Sequence, residues 1–242
     1  MGGQGNTDIA TGSLNNIWRY NIADGIWGLW SSPPILVNQI GIYGTKGVES
    51  TTNVPGTRSV SSAWYDNSGN IWLFGGNGYS AIPGMGAGPL NDLWRYNIAR
   101  HQWTWMSGTT SSTATLGVYG TQGIESTTNV PGSRSASSTW YDGQGNLWLF
   151  GGLSGSQFDG GDLWKYNIRS NQWTWVSGPQ ETISVTGPSP LYYVKGIPSV
   201  NNQPVSAYAS AVYDGNNAWV FGGTYGAVNS GSSNVLWKLF TY

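Results

Sequence analysis

Residues 135–178 hold four short hydrophobic runs, at 137–141, 147–150, 163–166 and 173–176, each ended by turn residues such as Asp142-Gly143, Gly145-Asn146 and Gly151-Gly152. Short β-branched and aromatic runs between Gly, Asn and Asp clusters specify antiparallel strands joined by tight turns. The unit recurs. Residues 59–76 and 91–108 read SVSSAWYDNSGNIWLFGG and NDLWRYNIARHQWTWMSG, against SASSTWYDGQGNLWLFGG and GDLWKYNIRSNQWTWVSG in 135–152 and 161–178. A looser copy, ASAVYDGNNAWVFGG then NVLWKLF, lies near the C-terminus, and the N-terminus carries only the tail of the unit, NNIWRYNIADGIWGLW. Paired glycines begin at Gly2, Gly75, Gly151 and Gly222, spacings of 73, 76 and 71 residues.

A four-stranded unit repeated at a sustained period predicts an all-β chain of propeller blades. Two glycines closing the second strand, Leu-Trp and Tyr in the third and Trp opening the fourth resemble kelch repeats, through WLFGG, DLW-[RK]-YN and QWTW-[MV]-SG. The repeats exceed the usual kelch length of about 50 residues and are most similar to long-loop bacterial ones. The resemblance covers nearly the whole chain. It implies a kelch-type β-propeller of four-stranded antiparallel blades, two complete and two incomplete here, in a galactose-oxidase-like fold. Function does not follow, because propellers host both enzymes and binders.

The 242 residues form one propeller domain or part-ring: partial blade 1–31, blades 59–107 and 135–178, partial blade 207–242, and connections 32–58, 108–134 and 179–206. Thirteen strands close no simple ring. Either one chain makes a small ring with two incomplete blades, or two chains share a ring in which the last blade of one is completed by the first of the next. Open strand edges pair with other chains unless covered, which favours self-association as a dimer; a fragment of a longer ring is the further alternative.

Charged residues are only 9% of the chain, net charge is −1, and there are 15 Trp and 14 Tyr. A surface solubilised by Ser, Thr, Asn and Gln suits an extracellular or cell-surface setting. No basic run exists to neutralise phosphates, which argues against nucleic acid. No apolar run approaches 18 residues, so no membrane-spanning helix is expected, and the first residues are no signal peptide. Absence of cysteine removes disulfides and thiol nucleophiles.

In such a blade the connections after strands two and four share one face, and here those are the long ones. Connections 43–58, YGTKGVESTTNVPGTR, and 119–134, YGTQGIESTTNVPGSR, match almost residue for residue. They offer Tyr43, Glu49, Asn53 and Arg58, and Tyr119, Glu125, Asn129 and Arg134. Two readings stand. One is a self-packed loop in which Glu pairs with Arg. The other is a pair of equivalent ligand pockets, each an aromatic platform with polar groups, a mix suited to carbohydrate. The third copy keeps Tyr192-Tyr193 and Lys195-Gly196 but has neither Glu nor Arg in register.

The other motifs read as structure. Trp72, Trp148 and Trp219, Trp18, Trp94, Trp164 and Trp237, and Trp27, Trp103 and Trp173 are expected to pack between blades; Trp30, Trp105 and Trp175, near the long loops, are open to either role. Asp66, Asp142 and Asp214 suit turn caps, and Asp92 and Asp162 look like strand-entry residues. With one histidine, His101, neither a Ser-His-Asp relay nor a His-rich metal site can be built. The copper site of galactose oxidase needs two histidines and a Tyr–Cys crosslink, so the resemblance does not carry that chemistry over. The expectation is a non-enzymatic binding module without metal or cofactor, its long-loop face binding carbohydrate. The alternative is a structural or protein-interaction module that self-assembles through incomplete blades into a closed ring.

Overall fold

The computed structural model describes residues 2–6, 11–30, 37–154, 159–180, 207–225 and 231–240. The described residues are all-β, without an α-helix, and every named strand pairing is antiparallel. The N-terminal repeat supplies two hairpins, β1 (Gly3–Asn6) with β2 (Thr11–Leu14) and β3 (Trp18–Asn21) with β4 (Ile26–Leu29). The second repeat is a full sheet: β5 (Arg58–Ser59) and β6 (Ser62–Tyr65) both pair with β7 (Asn70–Tyr79), followed by β8 (Ala87–Asn97) and β9 (Gln102–Ser107). The third repeats that order in β10 (Arg134–Ser135), β11 (Ser138–Tyr141), β12 (Asn146–Ser154), β13 (Asp159–Asn167) and β14 (Gln172–Ser177). The fourth has β15 (Ser210–Tyr213), β16 (Asn217–Phe221), the short pair β17 (Thr224–Tyr225) and β18 (Gly231–Ser232), and β19 (Leu236–Phe240).

The turn between the first two strands is fixed by one carboxylate. Asp66 Oδ1 accepts from Ser68 N (2.8 Å) and Asn70 N (3.1 Å), an Asx turn, while Oδ2 accepts from the Trp72 indole at 2.9 Å. Asp142 does the same for Gln144, Asn146 and Trp148. Asp214 caps the last repeat, and the Trp219 indole with the Asn217 and Asn216 amides lowers its pKa to about 2.

In the fourth repeat Gly222 and Gly223 follow the end of β16 at Phe221, but the paired glycines of the second and third repeats do not close the second strand. They sit inside β7 and β12, where the ladder shifts register between Phe74 and Gly76 and between Phe150 and Gly152. Gly75 and Gly76 have φ of 60° and 95°, and this bulge lets the hairpin run on. The stretches 76–91 and 152–161, expected as long loops, are therefore largely strand.

The four repeats pack face to face in series. Ile17 of the first repeat joins Tyr43, Leu73, Trp94, Tyr96 and Trp103 of the second. Trp64, Trp72, Phe74 and Leu93 meet Leu147, Leu149, Trp164, Tyr166 and Trp173 of the third, and Trp140, Trp148, Phe150 and Leu163 meet Ala218 and Val220 of the fourth. Alternating side chains thus give each sheet a face toward the preceding repeat and a face toward the next. Hydrogen bonds stitch the series: Ala136 N donates to Val60 O (3.0 Å), Tyr208 N to Ala136 O (2.9 Å), and the Trp64 indole to Trp148 O (2.9 Å). Val60, Ala136 and Tyr208 are equivalent residues, each with φ of 56–57°; the left-handed kink splits the first strand and frees these backbone groups to bond across repeats.

Candidate functional site

Connection 41–57 lies along the outer strand of its own sheet. An isolated bridge, Ile42 to Val54, closes it into a loop. Gly47 N donates to Trp105 O at 2.8 Å, Ser50 N to Trp103 O at 3.3 Å, and Asn53 Nδ2 to Trp103 O at 3.1 Å. The second copy repeats this with Gly123, Ser126 and Asn129 on the Trp175 and Trp173 carbonyls at 2.8, 3.2 and 3.1 Å. A strand edge is left uncovered by the strand order, and the loop donors cover it.

At both ends the connection plunges into the sheet. Tyr43 is only 5% exposed, its ring against Trp94 and Trp105 and its hydroxyl donating to Asp92 Oδ2 at 2.6 Å. Arg58 is fully buried and meets the same carboxylate fork to fork, Nη1 to Oδ1 at 2.6 Å and Nη2 to Oδ2 at 2.8 Å. Its Nε donates to Gly56 O and its Nη1 also to Gly75 O, and the Trp94 indole adds a bond to Asp92 Oδ2 at 2.7 Å. Tyr119, Arg134, Asp162 and Trp164 form the same cluster, with the ion pair at 2.6 and 2.8 Å. A buried charge pair is tolerable only when it is well hydrogen-bonded, and here each guanidinium makes four hydrogen bonds.

The electrostatics follow. Burial alone would push the Asp92 and Asp162 carboxyls up, but Arg58 and Arg134 hold them below the ordinary aspartate value. Burial, then the Asp92 charge, pushes the Tyr43 hydroxyl far above the ordinary tyrosine range. These groups are locked in their native charge states and do not suit proton transfer.

Several sequence expectations are corrected here. Tyr43 and Tyr119 present no ring platform to solvent, because their faces are consumed by tryptophans. Arg58 and Arg134 pair with Asp92 and Asp162, which are buried anchors within β8 and β13 rather than strand-entry residues. Glu49 faces Arg100 (3.1 Å) and Arg95 (3.7 Å), and Glu125 accepts from Asn167 and Ser170. Asn53 and Asn129 are buried loop braces. The eight residues do gather in two equivalent places, but six of them form interior staples and only the two glutamates reach solvent. Trp105 and Trp175 are half-buried partners of the tyrosines, each indole donating to the serine carbonyl two residues on. Sequence reasoning missed Asp92 and Asp162 as the charge partners; their shared place two residues before a third-strand tryptophan was the available signal. Tyr192, Tyr193, Lys195 and Gly196 lie outside the described residues.

His101 is exposed, with Nδ1 at 3.2 Å from the Tyr96 hydroxyl. No group of three or more His, Cys, Asp or Glu side chains that could hold a metal ion stands together among the described residues, and they contain no helix long and apolar enough to cross a membrane.

The two ends of the series are open. The β3–β4 hairpin exposes Trp18, Tyr20 and Trp27, whose equivalents Trp94, Tyr96 and Trp103 are buried against the preceding repeat. The fourth sheet exposes Val212, Phe221 and Leu236, whose equivalents Trp64, Phe74 and Leu93 are buried against the next.

No protein-family pattern and no curated protein sequence matches this chain. Among solved structures, that of YjhT is similar in fold, with a TM-score of 0.51 at 15% identity, over 95% of this chain. The chain spans 58% of the length of YjhT.

Proposed function

We propose that the four repeats are blades of a kelch-type β-propeller, two complete and two incomplete, and that the chain is a non-enzymatic interaction module. It associates head to tail with a second copy through its two open end faces, closing a shared ring. The observation that carries this is the complementarity of those faces. Trp18 is 52% and Trp27 63% exposed where Trp94 and Trp103 are 0% and 6%, and Phe221 is 53% exposed where Phe74 is 0%. One end thus shows the face that elsewhere receives a preceding sheet, and the other the face that elsewhere receives a following one. Aromatic and aliphatic side chains of this size, open in contiguous patches, mark interaction surfaces.

Serial packing with inter-repeat links at Val60, Ala136 and Tyr208 supports the propeller reading, since these bonds run between the first strands of neighbouring sheets. Carbohydrate binding on the long connections draws no support from Tyr43 and Tyr119, which are sealed inside. Light scattering over a dilution series tests the association: the mass of two chains, persisting on dilution, is expected. A single-chain mass at every concentration overturns it.

A further inference from the structure

The outer strand of each complete sheet is sealed by an extended segment, and the first repeat has such a strand without a seal. β4 corresponds to β9: Tyr20 pairs with Trp27 and Trp18 with Leu29, as Tyr96 pairs with Trp103 and Trp94 with Trp105. All four β4 residues are exposed, and no described residue hydrogen-bonds to its outer edge. The Trp27 and Leu29 carbonyls are the counterparts of those that Ser50, Asn53 and Gly47 cover on β9.

A second, independent feature lies just before β3, the strand that pairs with β4. Asn16 stands two residues before Trp18, where Asp92 and Asp162 stand before Trp94 and Trp164. It is 7% exposed, and its Oδ1 accepts no hydrogen bond. In the complete sheets this position receives a tyrosine hydroxyl and a guanidinium from the sealing segment. A buried amide can take the first but cannot neutralise the second. The chain treats the charge pair as a unit elsewhere: residues 179–206 contain no arginine, and Val235 stands two residues before Trp237.

We infer that the β4 edge and Asn16 form a docking site for an extended peptide segment of the same type as connection 41–57. The segment adds to the strand edge through backbone donors, sends a tyrosine hydroxyl to Asn16 Oδ1, and brings no buried arginine. This is strand-edge augmentation with one buried specificity contact. The inference rests on the proposed reading only in that the same end of the molecule is open; sheet-face association and edge docking fail separately.

The test uses capped synthetic peptides and the full chain. One peptide has the sequence of 41–57, a second carries phenylalanine in place of its tyrosine, and a third extends through the arginine of position 58. Calorimetry reads affinity, and amide hydrogen exchange reads location. The expected result is saturable one-site binding of the first peptide with protection of 26–29, about tenfold weaker binding of the phenylalanine peptide, the scale of one buried hydrogen bond, and no gain from the arginine. In Asn16→Asp the arginine peptide gains about tenfold or more, because the buried pair is restored. No saturable binding of the first peptide overturns the docking site, whatever the solution mass. So does protection on 102–107 instead, or affinity indifferent to both the tyrosine and the Asn16 changes. The phenylalanine peptide keeps the test decisive if Asn16→Asp disturbs the hairpin.

Discussion

Arg58 and Asp92, separated by 34 residues, form a fully buried fork-to-fork ion pair that ties the start of one sheet to its third strand. The pair also receives the Tyr43 hydroxyl and the Trp94 indole. One carboxylate therefore fixes both ends of the loop that seals the sheet.

Removing one partner leaves the other charged and buried. Arg58→Met or Asp92→Leu alone is expected to cost about 3–5 kcal/mol, while the double variant costs much less than the sum. Urea unfolding of the four proteins measures the coupling. Additive losses would show that the two side chains do not act as a pair.

Acid acts on the same carboxyls. Asp92 and Asp162 titrate below the ordinary aspartate value when folded, so the unfolded chain takes up protons first. Their contribution is complete above pH about 4 and is lost as pH falls through the folded values. The Arg58→Met/Asp92→Leu double variant should show a shallower acid decline. At the alkaline end the raised Tyr43 hydroxyl has the opposite sign. Its contribution is complete below pH about 10 and lost above it, so Tyr43→Phe should flatten the alkaline arm of a melting-temperature profile.

The left-handed glycines divide by what surrounds them. A Cβ on Gly75 would lie 2.5 Å from the Arg134 carbonyl oxygen, at φ of 60°, whereas one on Gly143, at φ of 74°, meets nothing within 4 Å. Gly143→Ala pays only left-handed strain, about 1–2 kcal/mol. Gly75→Ala adds a clash between neighbouring sheets and should destabilise clearly more by thermal melting.

Val60 is half exposed at 45% and β-branched, yet held at φ of 56°. Asparagine tolerates that conformation far better. Val60→Asn is expected to stabilise by about 0.5–1 kcal/mol, on the scale of the left-handed penalty, with Ala136 N still bonded to its carbonyl. A lower melting temperature would mean that the valine side chain contributes packing greater than its strain.

Charges on the open end faces should block association without unfolding the chain. Phe221→Lys and Trp27→Lys each place an ammonium where a neighbouring sheet would pack, and both residues are more than half exposed in the single chain. Each variant is expected to scatter as one chain, with its melting temperature close to that of the parent measured as one chain. A two-chain mass in both variants would exclude these faces from the interface.

The repeat, the short hydrophobic runs at the heart of its strands and the turn caps were legible in the sequence because each depends on neighbours a few residues away. Asp66 illustrates this: its turn partners Ser68 and Asn70 and the Trp72 indole all lie within six residues. The repeated connections were legible as a motif, but not their role. Glu49 was the nearer partner for Arg58 along the chain, yet the arginine chose Asp92, because only a carboxylate that is itself shut away from water, and whose other lone pairs are taken by Tyr43 and Trp94, compensates a buried guanidinium. Sequence alone therefore determined the all-β repeat and the turns that Asp66, Asp142 and Asp214 cap. Tertiary structure decided which polar groups are sealed inside, which edges are covered and which faces stay open, since burial is a property of what packs on a residue and not of the residue itself.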